Sequence, residues 1–205
     1  MDFEIIDNVY RSRKTLMDIL EMRGYDTTPF SNFSPTEIAI AGGVADTFAP
    51  LSFVAKKRDD ATKSCDVRYA RVSRQKMQSF FTDFPEDGTV EVIVMMLEPI
   101  ADLHHQTALK LFFTKKLHVS FFHIPYIVNN PLNNVLVPKH EIVPADQHKA
   151  IMEKFHMTAK SKFPLIKFHV DPIIRLLGGV PGDIVRITRP SPSAGWYEFY
   201  RVVSP

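Results

Sequence analysis

The chain has 205 residues, with 45% hydrophobic side chains, 23% charged side chains and a formal net charge of +2. That balance is that of a folded globular protein with one large domain or two modest ones, and it excludes a disordered tail or a polycation. A single cysteine, Cys65, excludes an internal disulfide and a cysteine-rich zinc site, and the longest apolar run, Val92 to Leu97, is far short of the ~20 residues that span a bilayer. The N-terminus, Met1-Asp2-Phe3-Glu4, lacks the basic start and apolar run of a secretion signal, so the expectation is an intracellular protein with a reduced thiol.

In chain order, Asn8–Arg23 reads as an amphipathic helix. Val9, Leu16, Ile19 and Leu20 share one side, Arg11, Arg13, Lys14 and Asp18 lie largely elsewhere, and Gly24 is the stop. Residues 25–50 read as loop, with a short helix near Pro35–Ala41 and Gly42-Gly43 as loop chemistry. The segment Lys56–Lys76 holds eight basic and three acidic residues. It is either a solvated basic loop or a phosphate-attracting patch. Asp87-Gly88 is a turn before Thr89–Leu97, whose β-branched run predicts a strand covered on both faces. Ala108–Phe113 and Leu117–Ile124 continue a mixed pattern, so this half reads as a layered α/β domain. Proline and asparagine crowd residues 125–138, which places a domain boundary near 134.

Beyond that boundary ten basic residues outnumber six acidic ones. His148, Ile151, Met152 and Phe155 make one helical face behind Pro144 and Asp146. Asp171 caps a second short helix, with Pro172 in its first turn and Gly178 at its end. Gly182 leads into strand Asp183–Arg189, and the turn Ser191–Gly195 returns the chain as strand Trp196–Val203. The result is a small α+β module with an antiparallel hairpin.

Several of these segments, Leu136-Val137-Pro138-Lys139-His140-Glu141, Phe163-Pro164-Leu165-Ile166, Asp171 to Gly178, Gly182 to Ser191, and Tyr200-Arg201-Val202-Val203, occur in one order. Together they resemble the fifth subunit of eukaryotic RNA polymerases and its shorter archaeal form. Tyr10-Arg11, Met22-Arg23-Gly24-Tyr25 and the patch Phe80 to Gly88 are similar to the N-terminal jaw that the eukaryotic form adds. Departures at Asn129–Asn134, Gly179, Pro181, Ser191–Ser193 and Trp196 suggest a diverged homologue, of the kind carried by a large cytoplasmic DNA virus with its own polymerase. The expected location is then host cytoplasm and virion, or the nucleus if the chain is cellular.

The resemblance implies an α/β jaw domain over 1–134, with an inactive nuclease-like layered sheet, followed by a small α+β assembly domain over 135–205. It implies a non-catalytic structural subunit of DNA-directed RNA polymerase, anchored to the largest subunit among the other polymerase subunits. The jaw would lie near downstream duplex DNA in weak, non-specific contact, with no cofactor, metal, membrane or small-molecule substrate. The implied subunit-interface residues are His140, Asp171, Pro172, Arg175, Gly178, Gly182, Arg186, Arg189, Gly195, Tyr200 and Arg201. The DNA-proximal candidates are Lys56, Lys57, Arg58, Arg68, Arg71 and Arg74. A free-standing nucleic-acid-binding transcription factor built on the same module is the alternative.

Enzymatic readings lack their residues. A nuclease would need a carboxylate pair with a lysine two positions after the second acid, and no Asp/Glu-x-Lys triplet occurs; Glu91-Val92-Ile93 has isoleucine there. His104-His105, His118, His123 and His140-Glu141 do not stand at helix-metal spacing, and Gly42-Gly43 lacks the Lys-Ser/Thr of a phosphate loop. The pairs Phe80-Phe81, Phe112-Phe113 and Phe121-Phe122 read as core before they read as stacking platforms. Arg186, Arg189 and Arg201 lie on adjacent strands, as a solvated basic stripe or as an interface that meets acids on a partner.

Overall fold

The computed structural model describes residues 3–45, 48–72, 77–193 and 195–205. The chain divides into two compact units, Met1–Asn130 and Pro131–Pro205. The division falls just upstream of position 134, at a 3-10 turn over Pro131–Asn133.

The first unit opens on helix α1, Phe3–Met22, which starts before Asn8 and carries Glu4 in the turn where the helix dipole favours an anion. Val9, Leu16, Ile19 and Leu20 are buried as their spacing requires, but Arg13 is buried as well. Its guanidinium lies 4.9 Å from the ring centroids of both Phe33 and Phe53, and its Nη1 donates to the Leu51 carbonyl at 2.6 Å. Cation–π attraction and a charge-assisted hydrogen bond thus offset its desolvation.

Helix α2 spans Pro35–Ala45 and takes in Gly42-Gly43, which the sequence assigned to a loop. Its start is a capping box. The Glu37 amide donates to Ser34 Oγ at 3.2 Å, and the Ser34 amide donates to Glu37 Oε2 at 2.8 Å.

Strands β1 (Phe53–Lys56), β2 (Ser64–Tyr69), β3 (Val90–Met96) and β4 (His118–His123) form a sheet in the order β1-β2-β3-β4, with short helix α3 (Met77–Phe80) and helix α4 (Asp102–Lys115) between strands. The first pair is antiparallel and the others are parallel. The basic segment is therefore not a loop throughout. Phe53, Ala55, Cys65, Val67 and Tyr69 are buried, alternating with Val54, Lys56, Asp66 and Arg68, so period-two patterning overrides the charge density. In β3 every residue from Glu91 to Met96 is buried, as expected for a strand covered on both faces. Phe81, Phe121 and Phe122 are core, whereas Phe112-Phe113 lies on α4, with Phe113 60% exposed.

At one end of this sheet sits a buried ionic cluster. Cys65, Glu91 and His118 are register neighbours on β2, β3 and β4. Arg23, just past α1, pairs with Glu91 Oε2, and their side chains are only 11% and 8% exposed. Tyr25 Oη donates to the same oxygen at 3.1 Å, and His118 Nδ1 lies 3.3 Å from Oε1. Burial alone would push the Glu91 carboxyl up, but Arg23, His118 and Tyr25 together hold it below its ordinary value. Burial pushes the Cys65 thiol up, which removes thiolate reactivity.

The second unit is a sheet in the order β5-β7-β8-β6, from β5 (Lys139–Ile142), β6 (Leu165–Lys167), β7 (Ile184–Ser191) and β8 (Gly195–Ser204), with helices α5 (His148–Lys154) and α6 (Pro172–Leu177). β5–β7 and β7–β8 are antiparallel, and β6–β8 is parallel. Its core gathers Val143, Phe163, Ile184, Tyr200 and Val202, with Ile151, Met152 and Met157 packed against them.

Asp171 Oδ1 accepts from the Ile173 and Ile174 amides at 2.9 and 3.1 Å, capping α6. Gly178 ends α6 at φ 74°, a left-handed turn that glycine adopts without penalty. At Gly179 a Cβ would meet Ile174 Cγ2 at 2.8 Å, so this departure from the family pattern sits where only glycine fits without a shift. His148 is held between Lys160 Nζ at 2.8 Å and the Val143 carbonyl at 2.9 Å. An ammonium only donates, so Nδ1 accepts and Nε2–H donates to the carbonyl.

The Arg23–Glu91 pair and the Asp171 cap can each be tested by substitution. Arg23→Met leaves the buried Glu91 carboxylate without its guanidinium partner and is expected to cost about 3–5 kcal/mol by urea unfolding, most of it recovered in the double variant Arg23→Met/Glu91→Leu. Because the folded value of Glu91 is depressed, its contribution is complete above the ordinary value of 4.5 and lost as pH falls through the folded value. The double variant should lose that part of the acid sensitivity. Separately, Asp171→Ala should cost about 1 kcal/mol in thermal unfolding while Asp171→Asn retains most of the stability; equal melting of all three proteins would dismiss the cap.

Candidate interaction surfaces

In the first unit four basic residues of the Lys56–Lys76 segment stand beside acids. Arg58 pairs with Glu21 at 3.1 Å, Arg68 with Asp66 at 2.9 Å, Arg71 with Glu98 at 2.6 Å, and Lys63 with Asp60 at 3.7 Å. Exposed pairs of this kind contribute about 0–1 kcal/mol each, but they cancel much of the local positive field. Arg68 also lies 4.7 Å from the Phe84 ring centroid, which fixes its guanidinium on the sheet surface. Lys56 and Lys57 form no ion pair among the described residues; Lys56 is exposed and Lys57 partly so. Arg74 and Lys76 lie outside the described residues. The patch is thus less positive than eight cations against three acids imply, because Glu21 and Glu98 come from outside the segment.

The Glu91 cluster has its own electrostatic consequence. The carboxylate is matched by the Arg23 guanidinium and the Tyr25 hydroxyl, so its charge is neutralised within the fold. Among the described residues, no group of three His, Cys, Asp or Glu side chains is placed to hold a metal ion, and no helix is long and apolar enough to cross a membrane.

The histidines serve the framework. His104 Nδ1 accepts from the Ala101 amide at 2.9 Å and its ring packs on Phe121, with burial lowering its basicity. His123 Nε2 lies 3.0 Å from the Leu97 carbonyl, and His140 Nδ1 lies 2.6 Å from that of Pro138.

In the second unit several of the interface candidates hold the module together. Asp171, Pro172 and Gly178 start and stop α6. Gly182 and Gly195 take φ values of 95° and 70° ahead of β7 and at the head of β8. Burial brings the Arg175 guanidinium down to about 10, partly opposed by Asp171. Tyr200 belongs to the core, and its hydroxyl donates to Glu198 at 2.9 Å.

The three hairpin arginines do not form one stripe. Arg186 pairs in register with Tyr200, whereas Arg189 pairs with Tyr197 and Arg201 with Val185. Alternation along the strands places Arg186 on one face and Arg189 and Arg201 on the other. Arg186 donates from Nε and Nη2 to Glu141 Oε2 at 3.0 and 2.5 Å, and Lys139 Nζ lies 2.5 Å from Oε1 of the same carboxylate. On the opposite face the Arg189 and Arg201 guanidiniums lie 5.7 and 5.1 Å from the Phe199 ring centroid, and Arg201 Nη1 donates to the Leu165 carbonyl at 2.7 Å. Neither has a carboxylate partner among the described residues. Phe199, absent from the sequence-based candidates, is the residue that joins these two cations. Its place in the strand alternation with Arg189 and Arg201 was the available signal.

The RNA polymerase Rpb5, C-terminal domain family matches residues 129–203, almost the whole second unit. The DNA-directed RNA polymerase subunit Rpo5 of Pyrococcus abyssi is 46% identical over 74 residues, which covers 36% of this chain and 88% of that protein. That of Methanosarcina barkeri is 44% identical over 72 residues, 35% of this chain and 90% of that protein. The DNA-directed RNA polymerases I, II, and III subunit rpabc1 of Dictyostelium discoideum is 25% identical over 214 residues, 97% of this chain and 98% of that protein. Archaeal subunits alike over about as many residues as the family match, and a eukaryotic one alike along nearly the whole chain, fit the pattern that the motifs implied: the chain belongs to the family of fifth subunits of DNA-directed RNA polymerase.

Proposed function

We propose that this chain is a non-catalytic structural subunit of a multisubunit DNA-directed RNA polymerase. The second unit is its anchor on the largest subunit, and the first is a jaw near downstream duplex DNA. One observation carries the reading. The Rpb5 C-terminal domain family matches residues 129–203, and 74 residues of the chain cover 88% of an archaeal protein named as a polymerase subunit, which supports reading the second unit as an assembly domain. The neutralised Glu91 supports the non-catalytic part, because a carboxylate paired with arginine has little charge left for a metal ion. The proposed domains, 1–134 and 135–205, and the interface role of His140 and the hairpin arginines rest on the resemblance.

Any DNA contact by the jaw is backbone-directed and weak. Lys56 and Lys57 are the candidates without an ion-pair partner among the described residues, and phosphate contacts of this type carry no sequence information.

Affinity capture of the tagged full-length protein, with mass spectrometry of what accompanies it, tests the assembly role. The expected outcome is recovery of the two largest polymerase subunits in equal amounts. A protein that runs alone as a monomer would overturn the assembly role and favour the free-standing transcription factor. For the jaw, Lys56→Glu/Lys57→Glu in the assembled polymerase should flatten the dependence of log affinity for a downstream duplex on log salt, by about one for each phosphate that is no longer neutralised. An unchanged slope would remove these lysines from the DNA contact.

A further inference from the structure

Strand β8 runs Gly195–Ser204, but its outer neighbour β6 pairs only with Val202, Val203 and Ser204. The Val202 amide donates outward to the Pro164 carbonyl at 2.9 Å, while the Val203 amide donates inward to Asp183 at 2.9 Å. Since backbone groups alternate along a strand, the amides and carbonyls of Trp196, Glu198 and Tyr200 also point outward. None of them has a hydrogen-bond partner among the described residues.

The two edges of this sheet are built differently. β5, at the far edge, is four residues long, lies between Pro138 and Pro144, and carries Lys139 and Glu141. Those are devices that discourage strand addition. The free stretch of β8 has no lysine and no proline, and instead presents Trp196, Tyr197 and Phe199, with Trp196 72% exposed. Beside that stretch lies a cleft of about 160 Å³, lined by Phe155, Met157, Phe163, Pro164, Tyr197 and Phe199 among others. The face bearing Phe199 carries the two guanidiniums that lack carboxylate partners.

We infer that the outer edge of β8 from Trp196 to Tyr200 receives an extended strand from another polymerase subunit, with an apolar side chain in the Phe155–Phe163 cleft and acidic side chains toward Arg189 and Arg201. The inference rests on the assembly reading and specifies its main-chain contact. Main-chain bonding to Trp196, Glu198 and Tyr200 supplies affinity, and the cleft and cations select the sequence.

Proline at position 198 isolates the edge. The Glu198 amide has no partner to lose within the described fold, so Glu198→Pro is tolerated at a free edge yet cannot donate to an added strand. Glu198→Ala removes the same side chain and keeps the amide. In co-expression with the other polymerase subunits, the wild type and Glu198→Ala should recover the large subunits alike, while Glu198→Pro recovers about tenfold less. Circular dichroism of the free chain serves as the fold check.

Equal recovery by all three overturns the strand-addition inference and leaves the assembly role standing; failure of the wild type overturns the assembly role itself. Hydrogen exchange of unmodified protein covers the case of a misfolded proline variant. The Trp196, Glu198 and Tyr200 amides should exchange fast in the free chain and slowly in the polymerase. Unchanged exchange in the polymerase refutes the inference. Protection in the free chain that grows with concentration assigns the edge to a second copy, and refutes it too.

Discussion

A β-strand has two hydrogen-bonding edges, and in the second unit the arrangement turns on how β8 uses them. Its inner edge is satisfied along its length by β7, which sets the register that places Ile184, Tyr200 and Val202 on one side and Val185, Phe199 and Val203 on the other. Its outer edge is satisfied only near Val202 and Val203. One face gathers the apolar core with α5, and the sheet would remain intact with or without a neighbour along the remaining edge. A module of this size buries limited apolar area. The cap at Asp171, the turn at Gly178 and the buried Lys160–His148–Val143 chain therefore take on stabilisation that a larger domain would leave to its core.

The first unit depends on a different constraint. Helix α1 joins the sheet through an ion pair rather than by apolar contact alone, since Arg23 at its end reaches Glu91 on the central strand. A buried pair is costly to desolvate and contributes little net stability against an apolar substitute, but either partner alone is strongly unfavourable. Such a pair favours one seating of the helix over its neighbours. Arg13 acts in the same way farther along α1, where two aromatic rings and the Leu51 carbonyl define its position. Arg13 on α1 and Arg23 just past its end give the unit specificity that its apolar residues, being interchangeable, do not provide.

Both units treat charge economically. Four of the six described cations of the Lys56–Lys76 segment stand beside acids, as does Arg186 in the hairpin, so charge there is largely balanced over short distances. Against that background Arg189 and Arg201 are distinctive because a ring rather than a carboxylate lies beside them. Guanidiniums on an aromatic face are partly desolvated and held in orientation, which suits them to meet an acid on a partner.

Much of this was legible in the amino-acid order. Local signals with their own mechanism were read correctly: the α1 periodicity, the Asp-Pro to Gly frame of α6, the β-branched run of β3 and the turn between β7 and β8. The short helix starting at Pro35 was legible too, but Gly42-Gly43, read as loop, hid its extent to Ala45. The buried roles of Arg13 and Arg23, the acids that offset the basic segment, and the separation of Arg186 from Arg189 and Arg201 were not legible. Each depends on a partner distant in sequence, such as Glu91 for Arg23 or Glu141 for Arg186, or on strand register, and a one-residue slip would have reversed the faces. The sequence by itself determined α1, α6, β3, the family and the hairpin, because those reside in spacing over a few residues, whereas β1 and β2 stayed hidden under the charge of the basic segment. Only the tertiary structure decided which charges are neutralised and which strand edge is left open, because both depend on what the folded chain brings alongside.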